Sequence, residues 1–277
     1  MDVLAFKLRG ILAALLNAEQ HPSIARFFTL LILGDYGPYA KGWIEPFRHL
    51  QLLHLLVLSG SQVQQFRRVA GRLLAPFIRS LIANPQGRRR AFDGVVGLLI
   101  LFYGFATHWP APLNRAIIFF LLGLVFPRWN LSVLVVASLA AHLVLFPADA
   151  ATLSFYLSWT SFLVILFLGE RAHFIPMQMF LCVFMFFVLC GFGVTQLGQL
   201  ATARFFWGVL LSGVMVAVFD AALMPFAALL LCFAMGLVLI PGGWAQAAGA
   251  YLGVLFEPAL SGLHFLLLVA LCPFRYT

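Results

Sequence analysis

Apolar runs cut apart by proline and charge fill this chain from about residue 92 onward. They cover 92–108, 111–127, 131–147, 153–169, 174–196, 205–219, 222–240 and 250–272. A helix crossing a bilayer needs about 20 mostly apolar residues. Several of these runs fall short of that, which predicts some broken or half-length helices. The junctions carry the punctuation: Pro110 and Pro112, Pro127-Arg128, Glu170-Arg171, Arg204, Pro225 and Pro241. Only 9% of the 277 residues are charged and 63% are hydrophobic, whereas a soluble domain carries about 25% charged residues. The expectation is an all-α polytopic membrane protein with about 8–10 transmembrane or partial, re-entrant helices.

Two earlier stretches, 23–34 and 50–66, are apolar with polar interruptions and read as re-entrant or partial spans. The first 20 residues interleave basic and apolar side chains, as an interfacial amphipathic helix does. A short first span is the alternative. Residues 1–48 are therefore expected as amphipathic and re-entrant helices, and 49–277 as the transmembrane domain. Net charge is +8, from 17 Lys and Arg against 9 Asp and Glu. Arg67, Arg68, Arg72, Arg79, Arg88, Arg89 and Arg90 concentrate that charge. Cytoplasmic loops collect basic residues, so this segment is expected inside. Counting spans from it puts Arg128, Arg171, Arg275 and the C-terminus inside too, with Arg204 the exception. Cys182, Cys190, Cys232 and Cys272 lie in apolar runs without a CxxC pair. They read as small buried hydrophobes rather than as metal ligands or disulfides, and no cofactor is expected.

A few polar residues are costly to keep among these runs. Arg115 stands near the start of a span, where a charge costs about 2.5–3.5 kcal/mol at the bilayer centre on insertion scales. Either it snorkels to the outer interface, or it faces an aqueous path and binds an anion. Ser154, Ser158 and Ser161 share one helical face. They either pack helices together or line a hydrated path, with Asp149 at its outer mouth. Asp220 precedes Pro225, where an unwound turn is expected. Ala245, Gly249 and Gly253 follow small-xxx-small spacing, which serves internal packing or a homo-oligomer contact. His54 and Ser59 in "HLLVLSGSQV" are five residues apart, so on a helix they do not face each other. A hydrolase would need His142 or His264 beside Ser59, and the chain is read as not an enzyme. Gly60 lets the backbone break there, with Ser59, Ser61 and Gln62 able to satisfy the freed amides.

"LLILGDYG" followed by "LLHLLVLSGSQV" resembles the ComEC family of competence proteins. "APLNRAIIFF", "LFPADAATLSFYLSW" and "FDAALMP" resemble three further family stretches, in the same order. The resemblance spans residues 30–225. It implies a bacterial inner-membrane channel that imports transforming DNA as a single strand. The matching positions are Gly34, Asp35, His54, Ser59, Gly60, Arg115, Pro147, Leu157, Ser158 and Pro225. Ser61-Gln62 replaces the family's Leu-His, and Asp220 stands where Asn is usual. The OB-fold and metallo-β-lactamase-like domains of full-length relatives are not expected here, since no HxHxDH motif occurs. Implied partners are single-stranded DNA, the bilayer, a cytoplasmic helicase-like ATPase and periplasmic DNA-uptake proteins. No phosphate-binding loop is present to supply energy within the chain. The rival reading from the residues alone is a small-molecule or lipid-precursor transporter, which shares broken helices and polar faces.

Overall fold

The computed structural model describes residues 2–16, 18, 22–34, 60–168, 219–240 and 244–271, with isolated positions between 180 and 209. Among the described residues all regular structure is helical. The order is α1 (Asp2–Leu15), α2 (Pro22–Leu33), α3 (Gly60–Leu81), α4 (Pro85–Ala106), α5 (Ala111–Val125) and α6 (Leu131–Leu145). A 3-10 turn (Pro147–Ala151), α7 (Leu153–Leu168), a π turn (Phe219–Leu223), α8 (Met224–Val238) and α9 (Trp244–Leu271) follow. Asp35, His54, Ser59, His264, Arg171, Arg204 and Arg275 lie outside this description or have side chains that do. So does most of 174–196 and 205–219.

Helix starts follow local chemistry. The Asn84 side chain accepts from the Gln86 amide at 3.0 Å, and Pro85 opens α4. Asn130 accepts from the Val133 amide at 2.8 Å to start α6. Both relieve amides that a first turn leaves without partners. Pro112 sits in the first turn of α5, where a missing N–H costs nothing, while Pro225 follows directly on a π turn. The unwound turn expected before Pro225 takes the form of a π turn, Phe219–Leu223. Gly60 opens α3, so residues 60–66 belong to the basic helix, while 50–59 lie outside the described residues.

α8 sits at the centre of the first half of the bundle, among α1, α2, α3 and α9. Phenylalanines join these helices edge to face: Phe28 with Phe226 at 5.4 Å, and Phe226 and Phe233 with Phe256 at 5.8 and 5.7 Å. The apolar stripe of α1 is covered by protein. Leu8, Ile11, Leu12 and Leu15 are buried against α8 and α9, while Val3 and Phe6 remain exposed. Lys7 Nζ donates to the carbonyl of Val238 at 2.6 Å, placing a cation at the negative end of α8. α9 approaches α1 through Gly253, where a Cβ would lie 2.7 Å from the Ala14 carbonyl oxygen. The small-residue stripe thus has an internal use.

The second half packs α5, α6 and α7 around Ala111, Val135, Phe155 and Trp159. α6 turns Ser138 and His142 inward, while Ser132 at its start is exposed. Val135, Ser138 and His142 are its buried residues, whereas Val133, Val136, Leu143, Val144 and Leu145 are exposed. Among the described residues one helix, Ala221–Val238, is long and apolar enough to cross a membrane. Pro22–Leu33, Ala111–Val125, Leu131–Leu145 and Leu153–Leu166 are apolar but shorter. At about 1.5 Å per residue, the 15 residues of α5 reach roughly 22 Å, less than the roughly 30 Å hydrocarbon core.

Candidate functional site

The turn between α4 and α5 sets up the site. His108 and Trp109 both take left-handed backbone conformations, with φ of 58° and 56°. Each costs about 1–2 kcal/mol for a residue with a Cβ. The strained turn lays the Trp109 indole on Gly104, where a Cβ would meet the ring at 2.6 Å. It also aims the Trp109 carbonyl at Asn114, whose Nδ2 donates to it at 2.8 Å. The second Nδ2 hydrogen goes to Asp149 Oδ2, also at 2.8 Å. Two acceptors fix the amide's orientation, since only its nitrogen end can donate. Asn114 Oδ1 is buried without a hydrogen-bond partner among the described residues.

Asp149 comes from the 3-10 turn and accepts a second bond, from His142 Nε2 of α6 at 2.9 Å. Trp159 Nε1 donates to His142 Nδ1 at 3.1 Å. An indole can only donate, so Nδ1 is bare and Nε2 carries the hydrogen shared with Asp149. Both nitrogens of His142 are therefore engaged and neither is free to serve a serine as base.

Arg115 lies one residue beyond Asn114 and only 7% exposed. Its Nε donates to Ser158 Oγ of α7 at 2.7 Å. Its guanidinium carbon stands 4.5 Å from the Phe162 ring centroid and 6.0 Å from that of Trp159. Arg115 with Ser158 and Phe119 with Phe162 at 5.0 Å advance together by four residues, so α5 and α7 run parallel here. No carboxylate pairs with Arg115 among the described residues. An arginine has five N–H donors; Ser158 uses one, and the four on Nη1 and Nη2 make no hydrogen bond among those residues. The site thus presents a buried cation with a covered face and donors in hand. That arrangement suits a phosphate or carboxylate, which guanidinium binds in a fork.

The serine row does not act as a unit. Ser158 reaches across to Arg115, while Ser161 Oγ donates back to the Leu157 carbonyl of its own helix. Ser154 is half-buried one turn earlier. Thr160 also bonds within its helix, to the Tyr156 carbonyl at 2.6 Å. Asp220 falls in the π turn, and its side chain lies outside the description. No three His, Cys, Asp or Glu side chains gather among the described residues, so none of these forms a metal-ligand set.

Gln62 belongs to a different cluster. Its Nε2 donates to the Leu31 carbonyl at 2.8 Å, near the end of α2. Tyr103 Oη donates to the next carbonyl, that of Ile32, at 2.5 Å. Gly34, at φ 66°, donates its amide to the Leu30 carbonyl at 2.9 Å. This is a left-handed glycine cap on α2, with the next two carbonyls completed by side chains from α3 and α4. The sequence reading singled out Gln62 and Arg115 but passed over Asn114, Tyr103 and Trp159. A polar pair opening an apolar run, Asn114-Arg115, was the available signal for the first of these.

Arg67, Arg68 and Arg72 lie on α3, and Arg88, Arg89 and Arg90 in the first turns of α4. Asp93 takes Arg67 at 3.2 Å and Arg89 at 3.9 Å. Arg67 also stands 5.4 Å from the Phe120 ring centroid.

No protein-family model, curated protein or solved structure matches the chain.

Proposed function

We propose that the chain is a multi-pass inner-membrane conduit for single-stranded DNA of the ComEC type, with Arg115 contacting phosphate along the path. The carrying observation is Arg115 itself: a buried guanidinium among apolar helices, with four unengaged N–H groups and no carboxylate among the described residues. A buried charge without a counter-charge is costly in any apolar medium, and an anion delivered by the cargo lowers that cost. Each nucleotide of a single strand brings one phosphate, and aromatic side chains such as Phe162 beside the cation suit bases that stack.

The family-like stretches also meet in pairs. "LLILG" and "SGSQV" are joined by Gln62 and Leu31, and "APLNR" and "ADAATLSFYLSW" by Asn114–Asp149 and Arg115–Ser158. The outward apolar side chains of α6 favour lipid around the bundle, since a soluble surface rarely leaves such a patch uncovered. In this reading α5, α6 and α7 supplement α8 as partial or tilted crossings, and the C-terminus is cytoplasmic. A cytoplasmic helicase-like ATPase supplies the energy, and periplasmic DNA-uptake proteins deliver the strand.

The test is transformation frequency in the native host. Deleting the gene abolishes transformation while DNA still enters the periplasm. Arg115→Ala at normal protein level lowers frequency about 10–100-fold, the equivalent of one lost charge-assisted hydrogen bond. Unchanged frequency in both strains, with no second homologue, overturns the reading and favours a carrier of small anions.

A further inference from the structure

Helix α3 changes character along its length. Gln62, Val63, Phe66 and Ala70 are buried against the bundle, but no residue of 71–81 is. In this second half Leu73, Phe77 and Leu81 are 38%, 68% and 81% exposed. At about 100° per residue these three fall within roughly 80° of one another. Arg68, Arg72 and Arg79 cluster within roughly 40° on the far side. No Asp or Glu occurs from 60 to 92. The first acid, Asp93, is taken by Arg67 and Arg89. Arg68, Arg72, Arg79, Arg88 and Arg90 pair with no carboxylate among the described residues.

We propose that residues 71–81 of α3 lie in the headgroup region of an anionic membrane leaflet. Leu73, Phe77 and Leu81 enter the acyl boundary, and Arg72, Arg79, Arg88 and Arg90 hold lipid phosphates. A helix with an uncovered apolar stripe, arginines opposite and low overall hydrophobicity is built to lie in that plane. Anionic lipid attracts each such arginine at close range. A nucleic acid would use the arginines but leave the Leu73–Phe77–Leu81 stripe in water. The bilayer satisfies both faces at once, and so is the occupant the surface fits. The docked helix would fix which leaflet the basic end of the bundle faces. This inference rests on the membrane reading above.

The experiment uses the whole chain with Cys182, Cys190, Cys232 and Cys272 changed to Ser and Phe77→Cys carrying an environment-sensitive nitrobenzoxadiazole label. The protein is placed in vesicles of phosphatidylcholine, alone or with phosphatidylglycerol. The expected result is a blue shift and quenching by an acyl-chain quencher in the anionic vesicles, both diminished by Arg72→Gln with Arg79→Gln. A label that stays open to aqueous quencher in anionic vesicles overturns the proposal. So does protection that arises only when a single-stranded oligonucleotide is added, which assigns the surface to nucleic acid. Trypsin cleavage at Arg72 and Arg79 of the unmodified chain gives a second readout. Phosphatidylglycerol slows it several-fold if the helix docks, and equal rates in both vesicles count against docking. Carbonate washing separates the two readings. A chain released by carbonate whose label still shifts on anionic vesicles loses the integral-membrane reading and keeps the docking.

Discussion

Gln62 keeps a structural role at a position where the proposed ComEC-type reading would place a titratable histidine. The bond it makes needs only an N–H donor aimed at the Leu31 carbonyl, which a histidine ring also offers. Gln62→Leu removes the donor from a buried carbonyl and should lower stability by about 1–3 kcal/mol. Gln62→His should retain most of it. Thermal unfolding in detergent measures both, and equal losses would contradict the bond's importance. Asp149 allows a parallel test. Asp149→Ala removes the acceptor of one Asn114 Nδ2 hydrogen and of His142 Nε2 together, whereas Asp149→Asn, with its amide oxygen at the Oδ2 position, keeps a neutral acceptor for both. The alanine variant should melt lower than the asparagine variant. At this scale the sequence revealed that Arg115, Ser158 and Gln62 were unusual for their surroundings. It did not reveal their partners, because each bond joins residues 31 to 43 positions apart.

Among the elements, the helices of the second half were readable from sequence to within a few residues. Runs 111–127, 131–147 and 153–169 correspond to α5, α6 and α7, because Pro110, Asn130 and Thr152 mark their starts chemically. α4 begins at Pro85 rather than 92. The apolar criterion stopped at Arg88–Arg90, yet arginine is a good helix former and Asn84 caps the turn before it. The 219–223 segment was readable as irregular but not as a π turn, since the extra residue per turn leaves no mark in composition. The Gly253 contact is likewise a matter of packing. Gly253→Ala would press a methyl against the Ala14 carbonyl at 2.7 Å. It should destabilise by about 1–3 kcal/mol, the usual range for overpacking, without altering oligomeric state. Size-exclusion with light scattering checks the second half of that statement. A shift in subunit number at unchanged stability would move the small-residue stripe to a homo-oligomer interface.

For the whole molecule, the apolar exterior of α6 and the inward His142 and Ser138 predict that the chain resists carbonate extraction from membranes. Release by carbonate would contradict the bilayer reading. The assembly of motifs into two clusters is a property of the whole fold, set by helix hairpins whose pairing no local pattern encodes. Its functional meaning turns on what reaches Arg115. The most direct measurement places a photo-crosslinking benzoylphenylalanine at Phe162, beside the Arg115 guanidinium, and a second at Val136, on the exposed face of α6. Labelled DNA is then supplied to competent cells and the membranes are irradiated. Single-stranded DNA should attach at position 162 and not at 136. Attachment at neither position, or equally at both, would contradict the conduit reading.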